Sequence, residues 1–206
     1  YDDEIGKVLS TLERIGKKDA TLTLLTSDHG DMDTHHRLIY KGPFMYDQMM
    51  RVPLIIKLPK YLQNANAHKK ICFPTVNVDL VPTMVDFAGI SLPSLDGLSL
   101  KPLLTGEGKY PQREFIIGEY YSKQKWVNPI RMIRNNKFKF NLYSRNVQEL
   151  YDLENDPFET KNCANDEKFK NEKADLISKL ELWMKQRNDP FHSQFPTTRE
   201  GEPLIN

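Results

Sequence analysis

The 206-residue sequence is short of several things, and each shortage closes off a class of function. Lys plus Arg number 29 and Asp plus Glu 28, for a formal net charge of +1. Without an excess of either sign, nothing marks a binder of nucleic acid or of a charged membrane surface. No apolar stretch approaches the roughly 20 residues that cross a bilayer, so no membrane partner is expected. There is no low-complexity tract. The two cysteines, Cys72 and Cys163, lie far apart in unlike contexts, which leaves open one disulfide or two free thiols, and with them the compartment. No signal peptide is visible. The chain opens on Tyr1 in YDDEIGKVLSTL, a beginning that reads as the middle of something, so the missing targeting segment carries no information.

What remains is 39% hydrophobic and 28% charged, a balance that suits a globular domain with a small second lobe. Ile5, Val8, Leu9, Leu12 and Ile15 recur at helical spacing and predict an opening amphipathic helix, stopped at Gly16 with Lys17 and Lys18 at its negative end. Ala20 to Thr26 is apolar and β-branched, and predicts a buried strand. Helix, turn and buried strand together suggest an α/β fold with a parallel sheet. Arg51 to Leu58 predicts a second buried strand with Pro53 near its start. Val78 to Gly89 predicts a short helix with Pro82 in its first turn and Gly89 at its end.

After about residue 95 the texture changes. Glu114 to Tyr121, Pro129 to Arg134 and Lys137 to Tyr143 read as short strands, with Asn135-Asn136 as a hairpin signal between the last two. Phe169, Lys173, Leu176, Ile177, Leu180, Trp183 and Met184 form the stripe of a final amphipathic helix. The tail HSQFPTTREGEPLIN has no period and reads as a strap or a frayed end. The expected division is an α/β portion over 1–105, then a small antiparallel sheet with a C-terminal helix and tail over 106–206.

Chemistry concentrates between Thr26 and Phe44, in TSDHGDMDTHHRLIYKGPF. This stretch holds three acids and three of the chain's five histidines. Open α/β sheets bind ligands beyond the carboxyl ends of their strands, where Asp28 and His29 fall. A carboxylate oxygen and an imidazole nitrogen both suit a divalent cation, although an Asp after a strand also serves as a turn residue or cap. Other metal patterns fail. Asp28, Asp31 and Asp33 lack the Gly and Glu of an EF-hand loop, and no His-Glu-x-x-His run occurs. His35 and His36 are adjacent, so on a regular element they point apart. Lys41 sits between Tyr40 and Gly42-Pro43. A fixed ammonium beside a metal suits a substrate with several anionic oxygens, such as a sulfate or phosphate ester; a solvated surface lysine is the plainer alternative.

Thr26-Ser-Asp-His-Gly30, then His36, Lys41-Gly42 and Arg51-Val-Pro-Leu-Ile55, resemble the C-terminal half of type I sulfatases, members of the alkaline phosphatase superfamily. The likeness continues through VDLVPTMVDFAGISLPSLDGLSLKPLL, RMIRNNKFKF and ELYDLENDPFETKNCA, so it spans nearly the whole chain in the family's order. It implies the C-terminal part of an alkaline-phosphatase-like α/β sheet with flanking helices, followed by the small antiparallel sheet and helix.

The resemblance also implies roles. Asp28 and His29 complete a calcium site, with manganese as the alternative metal. Lys41 contacts the sulfate oxygens, and His36 faces the substrate or orients the loop. His35 and Asp31 receive no role and are expected in solvent. Glu149 to Thr160 is structural: a strand end, a turn at Asp156-Pro157 and a cap. Arg131, Arg134, Lys137 and Lys139 read as a solvated sheet face, with a substrate-facing strip as the alternative. The family's nucleophile, a formylglycine made from Cys or Ser, belongs to an N-terminal half together with two more metal-binding acids. Cys72 in CFPTV imitates part of that pattern without its arginine, and is expected to be a decoy. The chain is therefore expected to be a C-terminal fragment, partnered by the N-terminal half of the same enzyme and acting on a sulfate ester, with a sulfated carbohydrate as the leading substrate class. The alternatives are a phosphonate or phosphate ester hydrolase of the same superfamily and a non-catalytic fragment. By analogy such proteins work in the periplasm, outside the cell or in lysosomes.

Overall fold

The structure, a computed structural model, describes residues 1–63, 70–91, 94–108, 113–123, 126–144 and 147–194. The tail read as a strap lies almost wholly outside these residues. Two compact units emerge: 1–28 with 53–112, and 29–52 with 113–206. Among the described residues no helix is long and apolar enough to cross a membrane, and Cys72 and Cys163 are both free thiols.

The first unit opens with α1, Asp2–Arg14, which carries Asp2, Asp3 and Glu4 in its first turn and Arg14 in its last, each placed to suit the helix dipole. Gly16 ends it in the left-handed region at φ +67°, which glycine adopts without steric cost. The apolar stripe is as expected but uncovered, with Val8 63%, Leu9 41% and Ile15 57% exposed. Strands β1, Thr23–Thr26, and β2, Leu54–Lys57, pair with each other antiparallel, Thr23 opposite Lys57 and Thr26 opposite Leu54. The expectation of buried strands in a parallel sheet is therefore corrected. Leu25 is 36% and Ile55 61% exposed. Their apolar runs signal suitability for burial, but a side-chain pattern carries no information on strand direction, which the connection sets.

Helix α3, Leu80–Phe87, shows what the VDLVPT segment does. Asp79, wholly buried, accepts the amides of Val76 and Leu98, both at 2.9 Å. The Thr83 hydroxyl donates to the Asp79 carbonyl at 2.6 Å and accepts the Leu100 amide at 2.9 Å. A Cβ on Gly97 would lie 2.0 Å from the Val78 carbonyl oxygen, so only glycine permits this approach. Asp79, Thr83 and Gly97 thus fasten the segment 97–100 to α3. Helix α4, Lys101–Thr105, follows.

The second unit is built on a four-stranded antiparallel meander: β3, Ile116–Lys123, β4, Trp126–Arg134, β5, Phe138–Tyr143, and β6, Gln148–Asp152. At the predicted hairpin, Asn135 Oδ1 accepts the amides of Lys137 and Phe138, each at 2.8 Å, and the register sets Arg134 opposite Lys139. One sheet face, with Ile133, Phe140, Leu142 and Leu150, packs on α5, Lys170–Gln186, through Leu176, Leu180 and Met184. The other face carries Ile130 and Met132 against Met45. That second face also carries Arg134, Lys139 and Asn141, which alternation and register place beside them. The segment 29–52 lies on this largely polar face and includes the one-turn helix α2, Asp47–Met50.

Candidate functional site

The loop that follows β1 is made of closely fitted pieces. Gly30 donates its amide to the Met49 carbonyl at 2.8 Å. A Cβ there would meet the Gln48 carbonyl oxygen at 1.8 Å, so residue 30 must be glycine for α2 to approach. Met32 is wholly buried, while Asp31 and His35 are exposed, as expected for residues without a role. Asp33, Thr34, His36, Arg37 and Tyr40 all have φ between 40° and 71°. Non-glycine residues take this region at a cost of order 1 kcal/mol each, and such conformations persist only where the surroundings over-determine them.

Within the second unit the loop brings His29 and Lys41 together. His29 Nδ1 is 2.8 Å from the Gly30 carbonyl oxygen, and a carbonyl only accepts, so Nδ1 carries the hydrogen. Nε2 then presents its lone pair, and the Lys41 ammonium donates to it at 2.9 Å. A backbone carbonyl that fixes the tautomer is also how a metal-binding histidine is set in place. His36 is half-buried and makes its contact with Tyr46, the rings stacked with centroids 3.9 Å apart and planes 13° apart. Asp28 ends the first unit, exposed. Its turn is held by Asn77, whose Nδ2 donates to the carbonyls of Ser27 at 3.0 Å and Asp28 at 3.3 Å. The sequence reading passed over Asn77; the signal was its place three residues before the α3 apolar run, where Asn caps and turns are common. Among the described residues no group of three or more His, Cys, Asp or Glu side chains is gathered to hold a metal.

The basic strip is a correction. Lys139 is wholly buried and Arg131 is 4% exposed, so they form neither a solvated face nor a substrate-facing one. Arg131 makes a two-pronged pair with Asp189, Nε to Oδ2 at 2.7 Å and Nη2 to Oδ1 at 2.8 Å. Arg134 and Lys139 both reach Asp47. Carboxylates distant in sequence neutralise these cations, and no local pattern reveals such pairing. Lys137 alone behaves as expected, exposed and 3.4 Å from Glu154.

The ELYDLENDPFETKNCA stretch is a structural joint. Asn162 accepts the amides of Leu150 and Ala164 and donates to the Gln148 carbonyl. Asp156 accepts from the Thr160 hydroxyl and the Lys161 amide.

Residues 35–186 match the family described as N-sulphoglucosamine sulphohydrolase, C-terminal. The chain belongs to this sulfatase family. Over 195 residues it is 35% identical to the N-acetylglucosamine-6-O-sulfatase of Bacteroides thetaiotaomicron, covering 91% of this chain and 34% of that protein. Among solved structures, a 2-O GAG sulfatase superposes with a TM-score of 0.81 at 31% identity, over 93% of this chain and 42% of that one. The phosphonate monoester hydrolase of Agrobacterium radiobacter superposes with a TM-score of 0.80 at 28% identity, over 100% of this chain and 43% of that one. The sulfatase chain thus spans about a third to two fifths of the length of these relatives. Its fold is the α/β, alkaline-phosphatase-like one expected, ending in the four-stranded sheet and C-terminal helix.

Proposed function

We propose that this chain supplies the cation-binding and anion-binding loop of an enzyme that hydrolyses sulfate esters of a carbohydrate, and that the nucleophile comes from a further, N-terminal portion. The observation that carries the reading is the His29–Lys41 pair. Its imidazole has one nitrogen fixed by the Gly30 carbonyl and the other already facing a cation. That arrangement fits a nitrogen ligand for calcium, or for manganese as the alternative, with the Asp28 carboxylate from the preceding residue as an oxygen ligand. Two side chains fall short of the six to eight ligands calcium takes, so the remaining acids are assigned to the N-terminal portion.

A dication held there would withdraw charge from the sulfate oxygens, and the formylglycine expected in the N-terminal portion would supply the nucleophilic oxygen. This chain's own contributions are separate from both. The Lys41 ammonium binds and neutralises sulfate oxygens as charge develops on them during S–O cleavage. Without a metal, His29, held by Gly30, gives its Nε2 lone pair to Lys41; with a dication bound, the same lone pair would go to the metal and leave the ammonium to the sulfate oxygens. His36, stacked on Tyr46, braces the loop between them or faces the substrate. The carbohydrate assignment leans on the two sulfatase relatives, described as acting at the 6-O position of N-acetylglucosamine and as a 2-O GAG sulfatase. The N-terminal partner is supported by the coverage of relatives and by the apolar side chains of α1, β1 and β2 that lie open in the first unit.

A second reading, cleavage of phosphonate or phosphate monoesters, is favoured by the likeness to the phosphonate monoester hydrolase. The test is competition in the enzyme that contains this chain. Its kcat/KM should be higher for a sulfated glucosamine than for a phosphonate monoester of the same leaving group. The reverse order would select the second reading.

A further inference from the structure

We propose that Glu159 and Lys139 are positioning residues for the His29–Lys41 loop, acting through Asp47 and α2. The role in catalysis rests on the site reading above; the anchoring itself does not.

Both side chains are fully buried, and the Asp47 side chain is 14% exposed. Lys139 Nζ donates to the Met45 carbonyl at 2.9 Å and to Asp47 Oδ1 at 2.5 Å. It also lies 2.6 Å from Glu159 Oε1, a charge contact without hydrogen-bond geometry. Glu159 Oε2 accepts the Asp47 amide at 2.6 Å. Arg134 Nη1 closes the cluster on both Asp47 oxygens, at 2.7 and 2.8 Å. Glu159 itself has φ +57°, a conformation that non-glycine residues hold only when pinned.

Buried ion clusters are weak evidence of stabilisation, because apolar residues of similar volume often serve a fold as well. What this cluster provides is direction. Its contacts converge on the Met45 carbonyl, the Asp47 amide and the Asp47 carboxylate, the groups that flank Tyr46 and begin α2. From there two short paths reach the loop. Through α2, the Met49 carbonyl takes the Gly30 amide, and Gln48 abuts Gly30 where no Cβ would fit; Gly30 in turn fixes the ring of His29, which meets Lys41. Through Tyr46, the same clamp sets the ring on which His36 stacks. Separations of 92 and 112 residues join the cluster to Asp47, so β5 and the segment after β6 fix the chemistry-bearing loop of the earlier half.

Amide hydrogen exchange on the full chain tests the anchoring. Glu159→Ala is compared with Leu180→Ala, a core variant on α5 that belongs to neither the loop nor the charge cluster. Glu159→Ala should speed exchange at Gly30 and over 46–51 by about tenfold or more while β4–β5 amides change by less than about twofold. Leu180→Ala should do the reverse. If Glu159→Ala leaves Gly30 protected, or loosens loop and sheet alike, the proposal fails. Should Glu159→Ala not fold, Glu159→Gln keeps an acceptor for the Asp47 amide without the charge facing Lys139, and the same criteria apply. In the enzyme that contains this chain, Glu159→Gln should lower kcat by about tenfold or more with little change in KM, as displacement of a positioned group does. Lys41→Ala in the same assay separates the two claims. Unchanged turnover with Lys41→Ala removes the site assignment; turnover lost with Lys41→Ala but kept with Glu159→Gln removes the positioning role alone.

Discussion

Lys41 and Lys139 show how differently one residue type can be used. Lys41 is exposed and faces a histidine nitrogen; Lys139 is buried between two carboxylates. Lys41→Ala should therefore leave thermal unfolding almost unchanged and lower ester turnover on the order of a hundredfold, or about 3 kcal/mol, the loss seen when one preorganised donor is removed. Turnover and melting measured side by side check it, and turnover within about twofold of the parent would count against the assignment.

A second prediction concerns acid. Burial works to raise the Asp189 carboxyl, but the hydrogen bonds and charge of Arg131 together with the Phe191 amide outweigh it and hold the group below the usual aspartate range. Asp47 is likewise pushed up by burial and held down on balance by Lys139 and Arg134. A depressed carboxyl stabilises fully above its unfolded value of about 3.9 and loses that contribution as pH falls through the folded value. Glu159 runs the opposite way: burial raises it despite Lys139, so its contribution is fully present below about 4.3 and is lost as pH rises through the folded value. Urea unfolding of the chain should therefore show stability falling below about pH 4. Asp189→Asn should flatten that acid limb; an unchanged limb would show that the Arg131 pair is not responsible. At this scale the residues proposed for the site, Asp28, His29, His36 and Lys41, were conspicuous in sequence because their types are rare together at a strand end. Glu159, Lys139 and Asn77 were not, because burial and partners from distant segments assign their roles.

At the scale of elements, periodicity located α1, α3 and α5, and the Asn135-Asn136 pair located the β4–β5 turn. It could not give the direction of β1 and β2, nor α2 and α4, whose single turns are too short to show a period. Two substitutions separate packing from close approach. Leu180→Ala removes a buried side chain between α5 and the sheet and should cost about 2–5 kcal/mol. Gly97→Ala would drive a Cβ onto the Val78 carbonyl and should cost more than about 1 kcal/mol, despite adding only one methyl group. Denaturant midpoints of both variants check the pair; a neutral Gly97→Ala would show that the segment 97–100 can retreat from α3.

The whole molecule is uneven. The second unit has an apolar core on one sheet face and a smaller cluster on the other, whereas Leu58, Pro59, Pro82 and Leu100 are the buried apolar side chains among the described residues of the first. A unit with so little buried apolar surface gains little from the hydrophobic term, so its amides should exchange faster than those of β4 and β5. The same shortage is what the proposed N-terminal portion would relieve, and it would bring the nucleophile with it. The most direct measurement is turnover of an activated aryl sulfate, with calcium present, by this chain alone and after addition of the N-terminal portion. The account predicts no turnover by the lone chain, turnover in the mixture, and its loss with Lys41→Ala. Turnover by the lone chain that disappears with Cys72→Ala would contradict it, because the exposed Cys72 would then be the nucleophile and no second portion would be needed.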